Sequence, residues 1–200
     1  MVFHFMKKLI LILFSILNCS YLINGQFLLD SIPVAEDGYV KYEKVFDIFG
    51  TKDQRYHKAK IWLTDSFKTS KALIETDDKA EGILIVKGNM SYNFDIYTVK
   101  NRTIEKLNNP RIGNIDFKLK IYLKDSETRV IVSDIDLPFP GTPPILSNYG
   151  VLKIQAARYL LNSDQDNFRS TGMTELSRFE SIHKIITAIM ENLRSSLIKK

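Results

Sequence analysis

Residues 112–124 alternate without interruption: Ile115, Phe117, Leu119, Ile121 and Leu123 share one parity, and Asp116, Lys118, Lys120, Tyr122 and Lys124 the other. A strand turns successive side chains to opposite faces, so this stretch reads as a β-strand with one face in a core and one in water. A sheet built on such strands is covered by other elements on its greasy side alone. Asp125-Ser126 follows at once, and residues 127–135, rich in β-branched side chains, run back. So short a turn joins antiparallel neighbours, because parallel ones need a long crossover.

The rest of the chain supplies the partners. Residues 39–49 form a first strand, with Val40, Tyr42, Phe46 and Ile48 on one parity, and Gly50 stops it. Thr51-Lys52-Asp53-Gln54 has the spacing of a capping box, in which Thr51 and Gln54 satisfy the free N–H groups of a new helix. Tyr56, Ala59, Leu63 and Phe67 then recur at helical spacing beside Trp62, which places them in the core rather than on a ligand. Short strand 72–76, a turn at Asp77-Asp78-Lys79 and strand 82–94 lead back to the alternating segment. Residues 137–144 hold four of the six prolines and cannot continue a sheet ladder. Beyond them come a short helical pattern at 151–161, a polar loop at 163–170 and a long amphipathic helix from about 173 to 198. Met173, Leu176, Phe179, Ile182, Ile186, Ile189, Leu193 and Leu197 mark its apolar stripe. Strand, helix, four-strand meander and long helix make an α+β layout, β-α-β-β-β-β-α, with two helices on one sheet face.

The first 25 residues read as an export signal. Lys7 and Lys8 precede an unbroken apolar run over residues 9–17, far short of the ~20 residues that span a bilayer. Gly25 before Gln26 is one cleavage point; a degenerate lipobox ending at Cys19 is the other, and would leave a lipid anchor there. The expected organisation is a signal peptide over 1–25, an irregular lead-in over 26–38 with a turn at Asp37-Gly38, and a single domain over 39–200. The last carries a proline-rich insertion at 137–170. Cleavage at Gly25 leaves 26 basic and 23 acidic residues, a net charge of +3, which excludes a strongly basic nucleic-acid binder.

At this point the chain resembles a known family. The run from Gly50 through Tyr56 and Ala59 to Trp62, then Phe67, Asp77-Asp78 and Gly82-Ile83, is similar to an uncharacterised family of exported Bacteroidetes proteins. Their fold is described as half of a TATA-binding protein. The likeness covers 39–136 and the last helix; the proline-rich segment and residues 145–170 depart from it. It implies a curved five-stranded antiparallel sheet in the order 1-5-4-3-2. It implies no activity.

The residues themselves point away from catalysis. One cysteine excludes a disulfide framework and any multi-cysteine metal site. Beyond the signal only His57 and His183 remain, and Glu180-x-x-His183 has no second copy to complete a di-iron site. Asp134 with Asp136, and Asp77-Asp78, read as solvated carboxylates rather than cation ligands. No G-x-S-x-G elbow or phosphate loop is present, so neither cofactor nor metal is expected. Asn89-Met-Ser91 and Asn101-Arg-Thr103 match a glycosylation sequon of eukaryotic secretory pathways. What remains is an exported, non-catalytic module that binds a protein or cell-envelope component without spanning a membrane. Its contact would lie on the uncovered face, at Lys118, Lys120, Tyr122 and Lys124, or at Phe139 in the proline-rich loop. The alternative is a periplasmic or surface hydrolase with a carboxylate pair.

Overall fold

The computed structural model describes residues 28–67, 73–124, 127–137 and 150–198. The expected signal peptide with Cys19, the Asp125-Ser126 turn, and Phe139 with the proline-rich loop after Leu137 lie outside these residues. Among the described residues the main elements follow in this order: β1 (Tyr42–Asp47), α1 (Lys52–Ser66), β2 (Leu73–Asp78), β3 (Ile83–Phe94), β4 (Tyr97–Lys100), β5 (Thr103–Lys106), β6 (Arg111–Leu123), β7 (Glu127–Asp136), α2 (Val151–Leu161) and α3 (Asp166–Ile198).

Five strands form one antiparallel sheet in the order β1-β7-β6-β3-β2. With the small hairpin β4–β5 set aside, that is the 1-5-4-3-2 order the resemblance implies. The long β6 sits centrally, with Phe117 opposite Gly88 of β3 and Leu119 opposite Val132 of β7. Its five apolar side chains from Ile115 to Leu123 are all buried, so the parity reading holds.

The capping box forms as expected. Gln54 N–H donates to Thr51 Oγ1 at 3.2 Å, and Thr51 N–H donates to Gln54 Oε1 at 3.1 Å. An N-cap of this kind is worth about 1 kcal/mol. Helix α1 then buries Tyr56, Ala59, Trp62 and Leu63 in the core. Trp62 meets Phe67 edge-on at 5.9 Å, and Phe67 packs in turn on Phe117. Arg55 is buried with them, which the hydrophobic pattern does not anticipate. Its guanidinium donates to Thr128 Oγ1 at 3.1 Å and to the Lys124 carbonyl, pinning α1 to the β6–β7 corner. Gly82 turns at φ +72, where a Cβ would run into the Leu123 carbonyl, so only glycine fits there.

Helix α3 supplies the other half of the cover through Phe179, Ile182, Ile186, Ile189 and Leu193. Lys44 of β1 reaches it through an ion pair to Glu191 at 2.7 Å. The structure corrects three local expectations. The last helix starts at Asp166, not near 173, and takes in most of the expected polar loop. β2 extends to Asp78, so the turn falls after it. Residues 97–106 form a hairpin absent from the expected meander, and it docks on α3 where Tyr97 N–H donates to Thr174 Oγ1 at 3.0 Å. The lead-in is partly helical over 28–31 and places Leu29 and Ile32 in the core. Among the described residues no helix is long and apolar enough to cross a membrane.

Candidate functional site on the open sheet face

The face turned away from α1 and α3 is assembled by register. Lys118 lies opposite Lys87 and Ser133, Lys120 opposite Ile85 and Ile131, and Tyr122 opposite Ile83 and Arg129. On β1, Val45 lies opposite Arg129. The expected row on β6 is therefore real, and it is interleaved with isoleucines that the reading of β6 alone did not include. Ile131 is only 8% exposed yet stands outside the main core. It floors a shallow depression of about 200 Å³ with Tyr122, Lys124, Glu127 and Arg129 around it. Val45 of β1 is well exposed.

The cations of this face fall into two groups. Lys118 is engaged by Glu75 at 3.2 Å and Asp134 at 3.5 Å, and Glu75 also holds Lys87 at 2.8 Å. Arg129 is engaged by Glu43, with Nε donating at 2.6 Å. Lys120 and Lys124 have no side-chain ion pair among the described residues. They flank Tyr122 two residues away on either side, on the same face of one strand. The structure thus brings Tyr122 and Lys124 together in the depression, sets Lys120 beside it, and leaves Lys118 to a salt-bridge network further along.

Glu43, Glu75 and Asp77 are engaged by neighbouring donors rather than poised. Hydrogen bonds from Lys41 and Arg129 hold Glu43 below the usual carboxylate range, and Lys87 with Lys118 does the same to Glu75. Lys60 and then Tyr56 lower Asp77. Desolvation and the Asp77 carboxylate push the Tyr56 hydroxyl up to about 12. A general acid for glycoside cleavage needs the opposite shift. Asp78 accepts from Glu81 N–H at 3.0 Å, so the acidic pair at the end of β2 serves α1 and a turn. Asp134 lies in the bulge of β7 at φ +52 and pairs with Lys118; Asp136, expected to be solvated, instead has Oδ1 buried without a hydrogen-bond partner among the described residues. No cluster of three or more His, Cys, Asp or Glu side chains that could hold a metal occurs among the described residues. His57 is exposed, while His183 is half-buried with Nδ1 3.1 Å from the Tyr42 hydroxyl.

A five-stranded antiparallel sheet with helices on one face and, among the described residues, no element on the other defines this as an α+β domain of the TATA-binding-protein-like class. Residues 42–137 match the model of the family described as a domain of unknown function (DUF4468) with TBP-like fold. The chain is similar over 84% of its length to 91% of a DUF4468 family protein from Bacteroides ovatus, at 16% identity and a TM-score of 0.58. It is also similar over 82% of its length to 97% of a TBP-like protein from Parabacteroides distasonis, at 14% identity and a TM-score of 0.50. No curated protein matches it. The likeness expected from Tyr56, Ala59 and Trp62 is borne out, and at these identities the solved structures speak for the fold.

Proposed function

We propose that this protein is an exported, non-catalytic binding module that holds a protein or cell-envelope component on the open face of its sheet, with Tyr122 as the anchor. One observation carries the reading. Tyr122, Lys124 and Arg129 ring an apolar floor at Ile131 in the depression, and exposed Val45 of β1 lies opposite Arg129. Tyrosine and arginine are residue types enriched at protein contacts. The export signal read at residues 7–17 supports the envelope as the place of action.

Affinity capture from cell-envelope extract tests this, comparing wild type with Tyr122→Ala and Lys124→Ala. Exposed or half-exposed side chains contribute little to folding, so the variants should melt as wild type does while losing the same captured components. Capture profiles indistinguishable among the three proteins would remove Tyr122 and the depression from consideration.

A further inference from the structure

A second concavity lies away from the sheet, at the corner where α2 passes into α3. It is a broad, open surface depression of about 600 Å³. Gln155, Arg158 and Tyr159 line it from α2, and Asn162, Asp164 and Gln165 from the connection. Residues 155, 158, 159 and 162 follow helical spacing and so form one stripe. The other stripe of the same helix, Ile154, Ala157 and Leu161, is buried in the core. Helix α2 therefore has an ordinary packed side, and its outer side carries a tyrosine that is 75% exposed. Packing gives no account of that ring.

The chemistry around it is polar and mixed. The side chains of Gln155, Asp164 and Gln165 have no hydrogen-bond partner among the described residues. An amide offers both a donor and an acceptor, and a carboxylate offers acceptors. Arg158 is neutralised by its ion pair with Asp30, which leaves Asp164 as the unbalanced charge. A phosphate or carboxylate ligand would meet that charge unfavourably. A neutral molecule with an apolar face and a rim of hydroxyl groups would not.

We infer that this depression binds a neutral saccharide of one or two rings. The pyranose C–H face would lie on the Tyr159 ring, gaining dispersion contact. Its hydroxyls, each donor and acceptor, would pair with the Gln155, Gln165 and Asp164 side chains. The volume falls within the range of small-molecule sites. The site is separate from the open sheet face and does not depend on the reading given for that face.

The experiment is an NMR titration of the isotope-labelled full chain with glucose, N-acetylglucosamine, maltose and diacetylchitobiose at millimolar concentrations. At least one sugar should produce saturable shifts confined to residues 155–165. Tyr159→Ala should weaken that binding about tenfold or more, Gln155→Leu should weaken it too, and Tyr159→Phe should retain it. All three variants should keep the wild-type melting temperature, since the ring is exposed. Absence of saturable shifts at 155–165 with every sugar would overturn the inference. So would wild-type binding by Tyr159→Ala, or shifts centred on residues 118–131 instead.

Discussion

Trp62 sits at 9% exposure between α1 and the sheet, with Phe67 edge-on against it and Phe117 beyond. Removing a buried tryptophan leaves a cavity as well as lost transfer energy, typically about 3–5 kcal/mol, against a total of roughly 5–15 kcal/mol for a domain. Trp62→Ala should therefore lower the urea midpoint steeply, and an unchanged midpoint would show the ring to be outside the core. His183 makes a different prediction. Burial, and then the neighbouring Lys44 charge, lower its pKa in the folded protein. The unfolded chain, titrating near pH ~6.5, then takes up the proton more readily. Stability from this residue is complete above about pH 6.5 and drains away as pH falls toward the folded-state value. Thermal melts from neutral to mildly acid pH should slope downward in wild type and less so in His183→Gln. Equal slopes would assign the acid sensitivity to other groups. Trp62 was legible because the helical spacing of its neighbours is strict. Arg55 was not, because a charged residue reads as exposed until its acceptors, Thr128 and the Lys124 carbonyl, are known from the far end of the sheet.

Hairpin β4–β5 and the first turns of α3 are the elements that the sequence conceals, and both for local reasons. The hairpin strands are four residues each, too short for alternation to register, and the turn between them is Asn101-Arg102, both at positive φ. A turn of that type ordinarily advertises itself with glycine in the second place. Arginine there carries a left-handed backbone at a cost, so Arg102→Gly should raise stability by about 0.5–1 kcal/mol. Hydrogen exchange across 97–106 together with urea titration would check it, and a loss of stability would mean that the Arg102 side chain compensates. At the start of α3, Ser170, Thr171 and Gly172 are weak helix formers. Tertiary packing overrides them: a Cβ at Gly172 would stand 2.6 Å from Leu161 N, so glycine is what lets α2 approach. Tyr122 and Lys124 were readable from the parity of β6. Ile131 and Arg129 were not, because they join the same depression through a register that only pairing with β7 reveals.

At the scale of the described molecule, the five-stranded sheet has a greasy face that needs α3. The family-matched stretch 42–137 ends before that helix begins. Expressed alone, it should fail to form a dispersed, monomeric fold and should bind a hydrophobic dye, because an uncovered apolar face of this size associates. A well-dispersed monomer from residues 42–137 would show that α1 suffices as cover. The strand order has a kinetic consequence as well. β6 and β7 are joined within a few residues and can pair as soon as both exist. β1 must wait, since its register partner is β7 and its Lys44 is held by Glu191 near the far end of the chain. Closing so long a loop is entropically expensive before its contacts form. Substitutions in β1 should then quicken unfolding and leave refolding nearly untouched, whereas those in β6 and β7 slow refolding. The strand made first by the ribosome has no sheet partner until β7 is made, so Tyr42–Asp47 emerges unpaired and stays so while about eighty residues are added.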